Sequence, residues 1–206
     1  MSGARRGALY VIAAPSGAGK TSLVKAVVER DPSLRVSVSH TTRKQRPTEV
    51  AGEHYYFVDV AEFRKLIAGG EFLEHAQVFD NFYGTGRAQV EALRNAGHDV
   101  ILEIDWQGAR QVRAAQPDCK SVFILPPSRR ELETRLRNRK TDSAEVIERR
   151  LRDSIADMSH FGEFDCVIVN DEFESAVRQL LEILRGAPGF DADRAELKPL
   201  LGELLA

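Results

Sequence analysis

Short apolar runs alternate along this chain with longer amphipathic stretches. Four of the runs are rich in Val and Ile, as buried strands are: Leu9–Ala13, Asp99–Ile104, Ser121–Leu125 and Cys166–Val169. Five stretches carry apolar residues at helical spacing: Ser22–Glu29, Trp106–Ala115, Ser128–Arg137, Ser143–Phe161 and Glu172–Leu184. This repeated strand–helix order predicts an α/β fold with a doubly wound parallel sheet core flanked by helices.

Residues 39 to about 90 depart from that order and predict an inserted mixed α/β lobe. Here a strand-like His54–Val58 is followed by a helix-like Glu62–Ala68 and a turn-rich Asn81–Gly86. Aromatic, glycine and polar residues are mixed throughout the segment. We expect this lobe to bind a substrate.

Two further breaks complete the predicted organisation. Asn138–Ser143 is a polar break between two Arg-rich helices, which suggests the tip of a helical lid. Gly186–Gly189 interrupts the pattern, and Asp191–Ala206 is expected to form one short amphipathic helix that packs on the domain or frays. The prediction is a single domain, 1–206, with a core (about 1–38, 91–128 and 162–186), the lobe (about 39–90), the lid (about 129–161) and a tail (187–206).

The composition fits an enzyme domain and argues against several other classes. With 206 residues and 43% hydrophobic content, the chain can bury a core of its own. A net charge of -2 argues against general nucleic-acid binding. Cys119 and Cys166 lie far apart with no Cys or His at metal spacing, which suits a reducing cytoplasm. The longest apolar run, Ala8–Ala14, is too short for a membrane span or a signal peptide.

A glycine-containing loop directly follows the first apolar run. Ala14-Pro-Ser-Gly-Ala-Gly-Lys-Thr21 matches the phosphate-binding pattern G-x-x-x-x-G-K-T, except that Ala14 stands at the first glycine position. Gly17 and Gly19 permit backbone N–H groups to converge on a phosphate at a helix N-terminus. Lys20 can reach the outer phosphates, and the Thr21 hydroxyl suits a bridging Mg²⁺. An ordinary strand-to-helix turn is the plainer alternative, and the flanking patterns disfavour it.

Two segments have a local excess of basic residues. Residues 35–46 contain Arg35, Arg43, Lys44 and Arg46 and no acid. The segment from Arg129 to Arg152 contains eight Arg, one Lys and five acidic residues, an excess of four positive charges. Such runs are usually solvated surface, but beside a phosphate-binding loop they favour anionic small-molecule ligands.

The predicted lobe also carries groups that can select a ligand. Arg43 and Arg46 lie three residues apart and can grip a phosphate with charge-assisted hydrogen bonds. Tyr55, Tyr83 and Thr85 offer hydroxyl groups, and Glu74 suits a base edge with two N–H donors, as in guanine. Taken singly, each of these residues also has an ordinary structural explanation.

Seven segments together resemble the bacterial type of guanylate kinase. The first three are Ala14-Pro-Ser-Gly-Ala-Gly-Lys-Thr21, Val36-Ser-Val-Ser-His-Thr-Thr-Arg43 and Gly52-Glu-His-Tyr55. The others are Phe72-Leu-Glu-His75, Tyr83-Gly-Thr85, Glu103-Ile-Asp-Trp-Gln-Gly108 and Val167-Ile-Val-Asn-Asp171. The resemblance extends from about residue 8 to 185. It implies a P-loop kinase fold that transfers the ATP γ-phosphoryl group to GMP, giving ADP and GDP, in purine nucleotide metabolism and GMP recycling.

The same resemblance implies roles by position. The residues that would bind GMP are Ser39, Arg43, Arg46, Tyr55, Glu74, Tyr83, Thr85 and Asp105. Those that would bind ATP are Ala14, Pro15, Ser16, Gly17, Ala18, Gly19, Lys20, Thr21 and Asn170. Those implied in catalysis are Lys20, Arg43, Arg139 and Arg150, and Mg²⁺ would contact Thr21, with Glu103 as a second candidate. The expected partners are ATP and GMP, with neither nucleic acid nor membrane, and a homo-oligomer stays open.

Three positions qualify the resemblance. The lid reads Asn138-Arg139-Lys140 where the family commonly has Gly-Arg-Gly, and Glu103 stands where an Asp is common. Asp105 has the alternative role of capping the helix that begins at Trp106. Two other functions remain as alternatives: a catalytically silent peptide-binding module of this fold, and a related kinase acting on another phosphorylated small molecule.

Overall fold

The computed structural model describes residues 5–78, 80–138 and 144–206. The strands are β1 Leu9–Ala13, β2 Leu34–Val36, β3 His40–Thr41, β4 Tyr56–Phe57, β5 Phe72–Val78, β6 Asn81–Gly86, β7 Asp99–Glu103, β8 Lys120–Leu125 and β9 Cys166–Val169. The helices are α1 Lys20–Arg30, α2 Val60–Ala68, α3 Arg87–Asn95, α4 Trp106–Ala115, α5 Arg129–Asn138, α6 Ala144–Met158, α7 Phe173–Leu184 and α8 Lys198–Leu205.

The larger sheet has five strands in the order β2-β7-β1-β8-β9. The pairs β2–β7 and β8–β9 are parallel, and Val122 to Leu125 lie opposite Cys166 to Val169. All five residues of β1 are buried, as expected for a strand covered on both faces. The four strands predicted from apolar runs and the parallel α/β class are therefore confirmed.

A four-stranded sheet in the order β4-β3-β6-β5 forms within the predicted lobe. The segment Asn81–Gly86, expected to be rich in turns, is instead a strand that pairs antiparallel with β5. The reason lies at Gly84, where a Cβ atom would come within 3.1 Å of the rings of Phe63 and Phe72. Here glycine marks a close approach of the backbone to packed aromatic rings rather than a turn.

The described residues form two compact units. Unit 1 comprises residues 5–11, 32–78 and 80–119, and unit 2 comprises 12–31, 120–138 and 144–206. In unit 1 the core includes Val100, Ile101 and Leu102 of β7, and in unit 2 it includes Val122 to Leu125 of β8. The division of the chain into core, lobe, lid and tail stays a prediction.

The tail packs within unit 2. A single turn of 3-10 helix, Ala195–Leu197, leads directly into α8. Leu197 and Leu204 are buried, and Nε of Arg129 donates to the carbonyl oxygen of Leu204 at 2.9 Å. Packing, one of the two outcomes expected for the tail, is thus observed, and the helix is shorter than the predicted span.

Candidate active site

The phosphate-binding loop of unit 2 links β1 to α1. Gly17 and Gly19 both have φ of 92°, a left-handed conformation that residues with a Cβ rarely adopt. Gly19 is the N-cap of α1, and Lys20 is its first residue. The prediction that these two glycines provide the special backbone is confirmed, and the loop lies at the partially positive N-terminus of a helix.

Side chains elsewhere in unit 2 form hydrogen bonds with the backbone carbonyl groups of this loop. Asn170 is buried, and its Nδ2 donates to the carbonyl oxygen of Ala18 at 2.7 Å. A Cβ on Gly19 would overlap that same Nδ2, so glycine is required here by both space and backbone angle. The hydroxyl of Ser154 in α6 donates to the carbonyl oxygen of Ser16 at 3.2 Å. Because these carbonyl groups are engaged by side chains, the loop is held in one conformation.

The other residues implied for ATP and catalysis differ in their exposure to solvent. Thr21 is exposed in the first turn of α1, and Lys20 and Arg150 are half-buried. Arg139 lies outside the described residues, as does most of the lid tip. Asn170 was expected near the adenine ring, and its contact with Ala18 shows a loop-holding interaction that the sequence did not reveal.

In unit 1, β5 and β6 bring two of the implied GMP-binding residues together. Glu74 lies directly opposite Thr85, and the Thr85 hydroxyl donates to Oε1 of Glu74 at 2.5 Å. Both residues are buried, with Glu74 only 3% exposed. An ionised carboxylate can accept several hydrogen bonds, so this buried group is also suited to accept N–H donors from a ligand.

Asp105 lies at the start of α4 in the same unit. Its Oδ1 accepts the backbone N–H of Gly108 at 2.8 Å, so the expected alternative role as a helix N-cap is confirmed. The Oδ2 atom accepts from the side chain of Gln107 at 3.2 Å. Asp105 therefore has a fixed orientation while remaining partly exposed.

The basic segment of unit 1 contains an ion pair that the sequence analysis missed. Arg43 donates through both terminal nitrogens to Glu49, at 2.7 and 3.0 Å, and both side chains are largely buried. The backbone N–H of Arg46 also donates to Glu49, at 2.8 Å. The hydrogen bond from Arg43 lowers the pKa of Glu49, and the hydrogen bond to Glu49 raises the pKa of Arg43. The first acid after the basic run was the available signal for this partner.

Other implied GMP-binding residues are Tyr55, Tyr83, Arg46 and Ser39, and the first two lie in a series of ring contacts that begins at Arg43. The guanidinium carbon of Arg43 lies 5.4 Å from the centre of the Tyr55 ring, and that ring lies 6.1 Å from the ring of Tyr83. Burial raises the pKa of the Tyr55 hydroxyl, and the negative charge of Glu103 raises it further. The side chain of Arg46 is exposed, with its NH1 atom 3.7 Å from Glu49. Ser39 is half-buried, and its carbonyl oxygen accepts from the N–H of Tyr56.

Several arginines of the second basic segment are engaged within their own helices. Arg135 pairs with Glu131 at 2.8 Å and Arg137 with Glu133 at 2.6 Å, both four residues apart on α5. The guanidinium of Arg135 also donates to the carbonyl oxygen of Asn170 at 3.1 Å. Part of this basic segment is therefore explained as ordinary helix surface, as the sequence analysis considered.

Two general searches covered the described residues. Among residues 5–78, 80–138 and 144–206, no helix is long and apolar enough to cross a membrane. In the same part of the chain, no group of three or more His, Cys, Asp and Glu residues could hold a metal ion.

Comparison with known proteins points to one family. The family model described as guanylate kinase matches residues 6–187. The chain is 55% identical to the guanylate kinase of Chromohalobacter salexigens over 202 residues, covering 98% of this chain and 94% of that protein. It is 60% identical to the enzyme of Methylococcus capsulatus over 180 residues, covering 87% and 88%. A crystal structure of guanylate kinase from Anaplasma phagocytophilum superimposes with a TM-score of 0.75 at 35% identity, covering 96% of this chain and 94% of that one.

Proposed function

The chain belongs to the guanylate kinase family, whose members phosphorylate GMP with ATP, and from that premise we propose how its residues carry out the reaction. GMP binds in unit 1, through the carboxylates of Glu74 and Asp105 at the base and through Arg43 and its neighbours at the phosphate. ATP binds at the loop of unit 2. The products are ADP and GDP.

The buried carboxylate of Glu74 is the observation that best supports guanine as the base. Its Oε1 accepts the hydroxyl of Thr85, and a carboxylate has further acceptor capacity that suits the N1–H and the 2-amino group of guanine. Adenine has an acceptor at N1 and no 2-amino group. A buried acceptor left without its donor can discriminate by about 10⁴-fold.

Arg43 is proposed to bind the phosphate of GMP, together with Arg46, Tyr55 and Tyr83, whereas Ser39 is assigned to the guanine base with Glu74 and Asp105. Its contacts with Glu49 and with the carbonyl oxygen of Lys44 at 2.8 Å fix the plane of its guanidinium group. The pKa values of Arg43 and Tyr55 are raised from ordinary values that already lie above neutral pH, so Arg43 is charged and Tyr55 is protonated there. Both therefore remain hydrogen-bond donors toward a dianionic phosphate.

Mg²⁺ is a second part of the proposal, and the available donors suit it. A threonine hydroxyl at the start of α1 is a hard oxygen ligand, and Mg²⁺ typically keeps several waters and phosphate oxygens rather than a full protein cage. Thr21 would hold the ion, and Glu103 remains the second candidate. When bound, Mg²⁺ neutralises phosphate charge.

The protein supplies position and charge rather than covalent chemistry. Lys20 is the first residue of α1, and Asn170 and Ser154 bond to the carbonyl oxygens of Ala18 and Ser16 in the loop. Backbone N–H groups and Lys20 then hold the phosphates, while Arg139 and Arg150 are proposed to spread the charge of the transferring phosphoryl group. Arginines in this role contribute about 10³- to 10⁵-fold in rate.

A coupled assay of ADP formation with ATP and Mg²⁺ tests the proposal, with GMP, AMP, UMP, ribose phosphate or no acceptor in parallel. We expect GMP-dependent formation of ADP and GDP only. Preference for ribose phosphate would favour the related kinase, and inactivity of the folded protein with every acceptor would favour the peptide-binding module.

Substitution of Lys20 provides the first prediction. Lys20→Ala removes the charge that reaches the outer phosphates, and we expect kcat to fall at least 100-fold while the unfolding temperature stays unchanged. Lys25→Ala is the matched control, because Lys25 lies on the same helix, is 77% exposed and only approaches Glu29 at 3.9 Å. Near-normal turnover of Lys20→Ala would refute the assignment.

The cellular role extends the same proposal. A GMP kinase of this kind serves purine nucleotide metabolism and returns GMP to the nucleotide pool. We propose that it works in the cytoplasm, where its substrates are found and where Cys119 and Cys166, which lie far apart in the sequence, would stay reduced.

A further inference from the structure

Helix α4 approaches strand β5 within unit 1, next to both carboxylates assigned to guanine. Gly108 and Gln111 lie three residues apart, on one face of that helix. We propose that Gly108 and Gln111 are positioning residues that fix Glu74 and Asp105 in the geometry that recognises guanine. This inference rests on the proposed function, because it takes Glu74 and Asp105 as the groups that bind the base.

Gln111 fixes the backbone beside Glu74. Strand β5 is the last strand of its sheet, so the backbone groups on its outer side have no neighbouring strand. The Oε1 atom of Gln111 accepts the N–H of His75 at 3.1 Å, and its Nε2 donates to the carbonyl oxygen of His75 at 2.7 Å. One side-chain amide thus satisfies both backbone groups of the residue that follows Glu74, as a neighbouring strand would.

Gly108 fixes the position of the carboxylates themselves. A Cβ on this residue would overlap Oε2 of Glu74 and lie 3.1 Å from its carboxyl carbon. The same Cβ would come within 3.2 Å of Oδ1 of Asp105, the atom that accepts the N–H of Gly108. The missing side chain therefore leaves the space that both carboxylates occupy.

The conformation of Gly108 does not itself require glycine. Its φ angle is outside the positive range found at seven other glycines, and it lies in the first turn of α4. At such a helical position Ala is intrinsically favoured over Gly. Glycine at 108 is thus explained by the space that Glu74 needs, and not by the helix.

The consequence concerns specificity. Glu74 is buried and bonded to Thr85, so it cannot move aside without losing that hydrogen bond. A displacement of about 1 Å in a positioning contact can cost about 100-fold in rate. A side chain at residue 108, or loss of the two hydrogen bonds between Gln111 and the backbone of His75, should therefore weaken guanine recognition and leave ATP binding intact.

The test compares Gly108→Ala and Gln111→Met with the wild-type chain. IMP is the second acceptor, because hypoxanthine keeps N1–H and lacks the 2-amino group of guanine. We expect KM for GMP to rise about 10- to 100-fold, KM for ATP to change less than twofold, and the ratio of kcat/KM for GMP over IMP to fall about 10-fold. Gly202→Ala is the control, since Gly202 is also helical and a Cβ there meets nothing within 4 Å.

A second measurement needs no activity. In the wild-type background, Gly108→Ala should lower the unfolding temperature through contact with Glu74. In a Glu74→Ala background the same change should instead raise it, by up to about 2 °C, because the overlap with Glu74 is gone and the helix preference outweighs the remaining 3.2 Å approach to Asp105. Equal effects of Gly108→Ala in both backgrounds, or an unchanged GMP to IMP ratio in both single variants, would overturn the inference.

The two proposals fail in distinguishable ways. If wild-type protein and Gly202→Ala phosphorylate neither GMP nor IMP, the proposed function fails, whereas the temperature shifts still show whether Gly108 crowds Glu74. If wild-type protein uses GMP and the variants keep its KM and its preference over IMP, only the positioning role fails.

Discussion

Arg43 shows how a residue assigned to a ligand is prepared by the protein around it. Its guanidinium group is planar, and Glu49 together with the carbonyl oxygen of Lys44 holds that plane. Lysine would keep the charge and lose the planar fork. The role of Arg43 thus depends on geometry as well as charge.

Arg43→Lys is therefore expected to weaken GMP binding. Hydrogen bonds to charged groups contribute about 1.5–3 kcal/mol each, so KM for GMP should rise at least 10-fold while KM for ATP changes less than twofold. Steady-state kinetics with each substrate varied in turn measures the difference. Arg35→Lys serves as control, because Arg35 belongs to the same basic segment and donates to the carbonyl oxygens of Pro32 and Leu34. An equal rise for both variants would contradict the assignment.

His40 links the stability of unit 1 to pH. Its ring lies 4.9 Å from that of Tyr56 and 5.4 Å from that of Phe72, and its buried Nδ1 has no hydrogen-bond partner among the described residues. Burial lowers the pKa of His40 below its ordinary value. Between the lowered folded pKa and about 6.5, the unfolded chain binds the proton more readily, so stability decreases as pH falls through that window.

His40→Phe should remove this dependence. The difference in unfolding free energy between wild-type and variant is expected to be constant above pH 7.5 and to shift in favour of the variant as pH falls from 7 to 5. Denaturant titrations at several pH values measure this difference. If the larger Phe ring lowers the unfolding free energy by the same amount at every pH, the pH dependence of the difference is unaffected. A difference independent of pH would show that His40 titrates normally in the folded protein.

At the scale of elements, the tail covers the last strand of the larger sheet. Strand β9 lies at the edge of that sheet, and its Val167 N–H donates to the carbonyl oxygen of Phe190 at 2.8 Å. The guanidinium of Arg194 donates to the carbonyl oxygen of Val167 at 2.6 Å. Covering an edge strand in this way prevents its pairing with other chains.

Arg194→Ala should uncover this edge. Loss of the charged hydrogen bond is expected to cost about 1.5–3 kcal/mol of unfolding free energy and to promote aggregation on heating. Calorimetry and light scattering measure the two effects. Glu196→Ala removes only the 74% exposed carboxylate next to Arg194 and should change stability by less than about 0.5 kcal/mol. Equal stabilities of the two variants would mean that the tail contributes little to β9.

At the scale of the whole molecule, the two nucleotides are assigned to different compact units. Every residue assigned to GMP lies within unit 1, and every described residue assigned to ATP lies within unit 2. A ligand that binds only the folded state protects the structure that forms its site. Each nucleotide should therefore leave a separate pattern of protection.

Hydrogen exchange with each nucleotide alone tests this separation. At about 100 times its dissociation constant, GMP should slow exchange in β5 and β6 by up to about 100-fold, and ATP with Mg²⁺ should do so at residues 15–21. Lys20→Ala should lose the ATP effect and keep the GMP effect, and AMP should not reproduce protection of β5. Protection of β5 and β6 by ATP alone would contradict the assignment.

The pattern of apolar and polar residues predicted much of the fold, but it did not predict several of the strands. The bounds of β1, β9 and α4 match the predicted runs, because each carries a clear apolar periodicity. Strands β2 and β3, with three and two residues, carry too little pattern to be recognised. Strand β5 was also missed, because its sequence has no clear alternation and its pairing with β6 is a long-range choice.

The sequence by itself determined the glycine-containing loop before α1, the parallel α/β class and the identity of the polar groups that are assigned to the nucleotides, because these depend on residue type and short spacing. Only the tertiary structure decided which groups meet. It paired Glu74 with Thr85 and Arg43 with Glu49, brought Asn170 to the carbonyl of Ala18, and left space at Gly108 for a carboxylate from another element. Such contacts join residues distant along the chain, and they arise from strand register and helix packing that no local pattern contains.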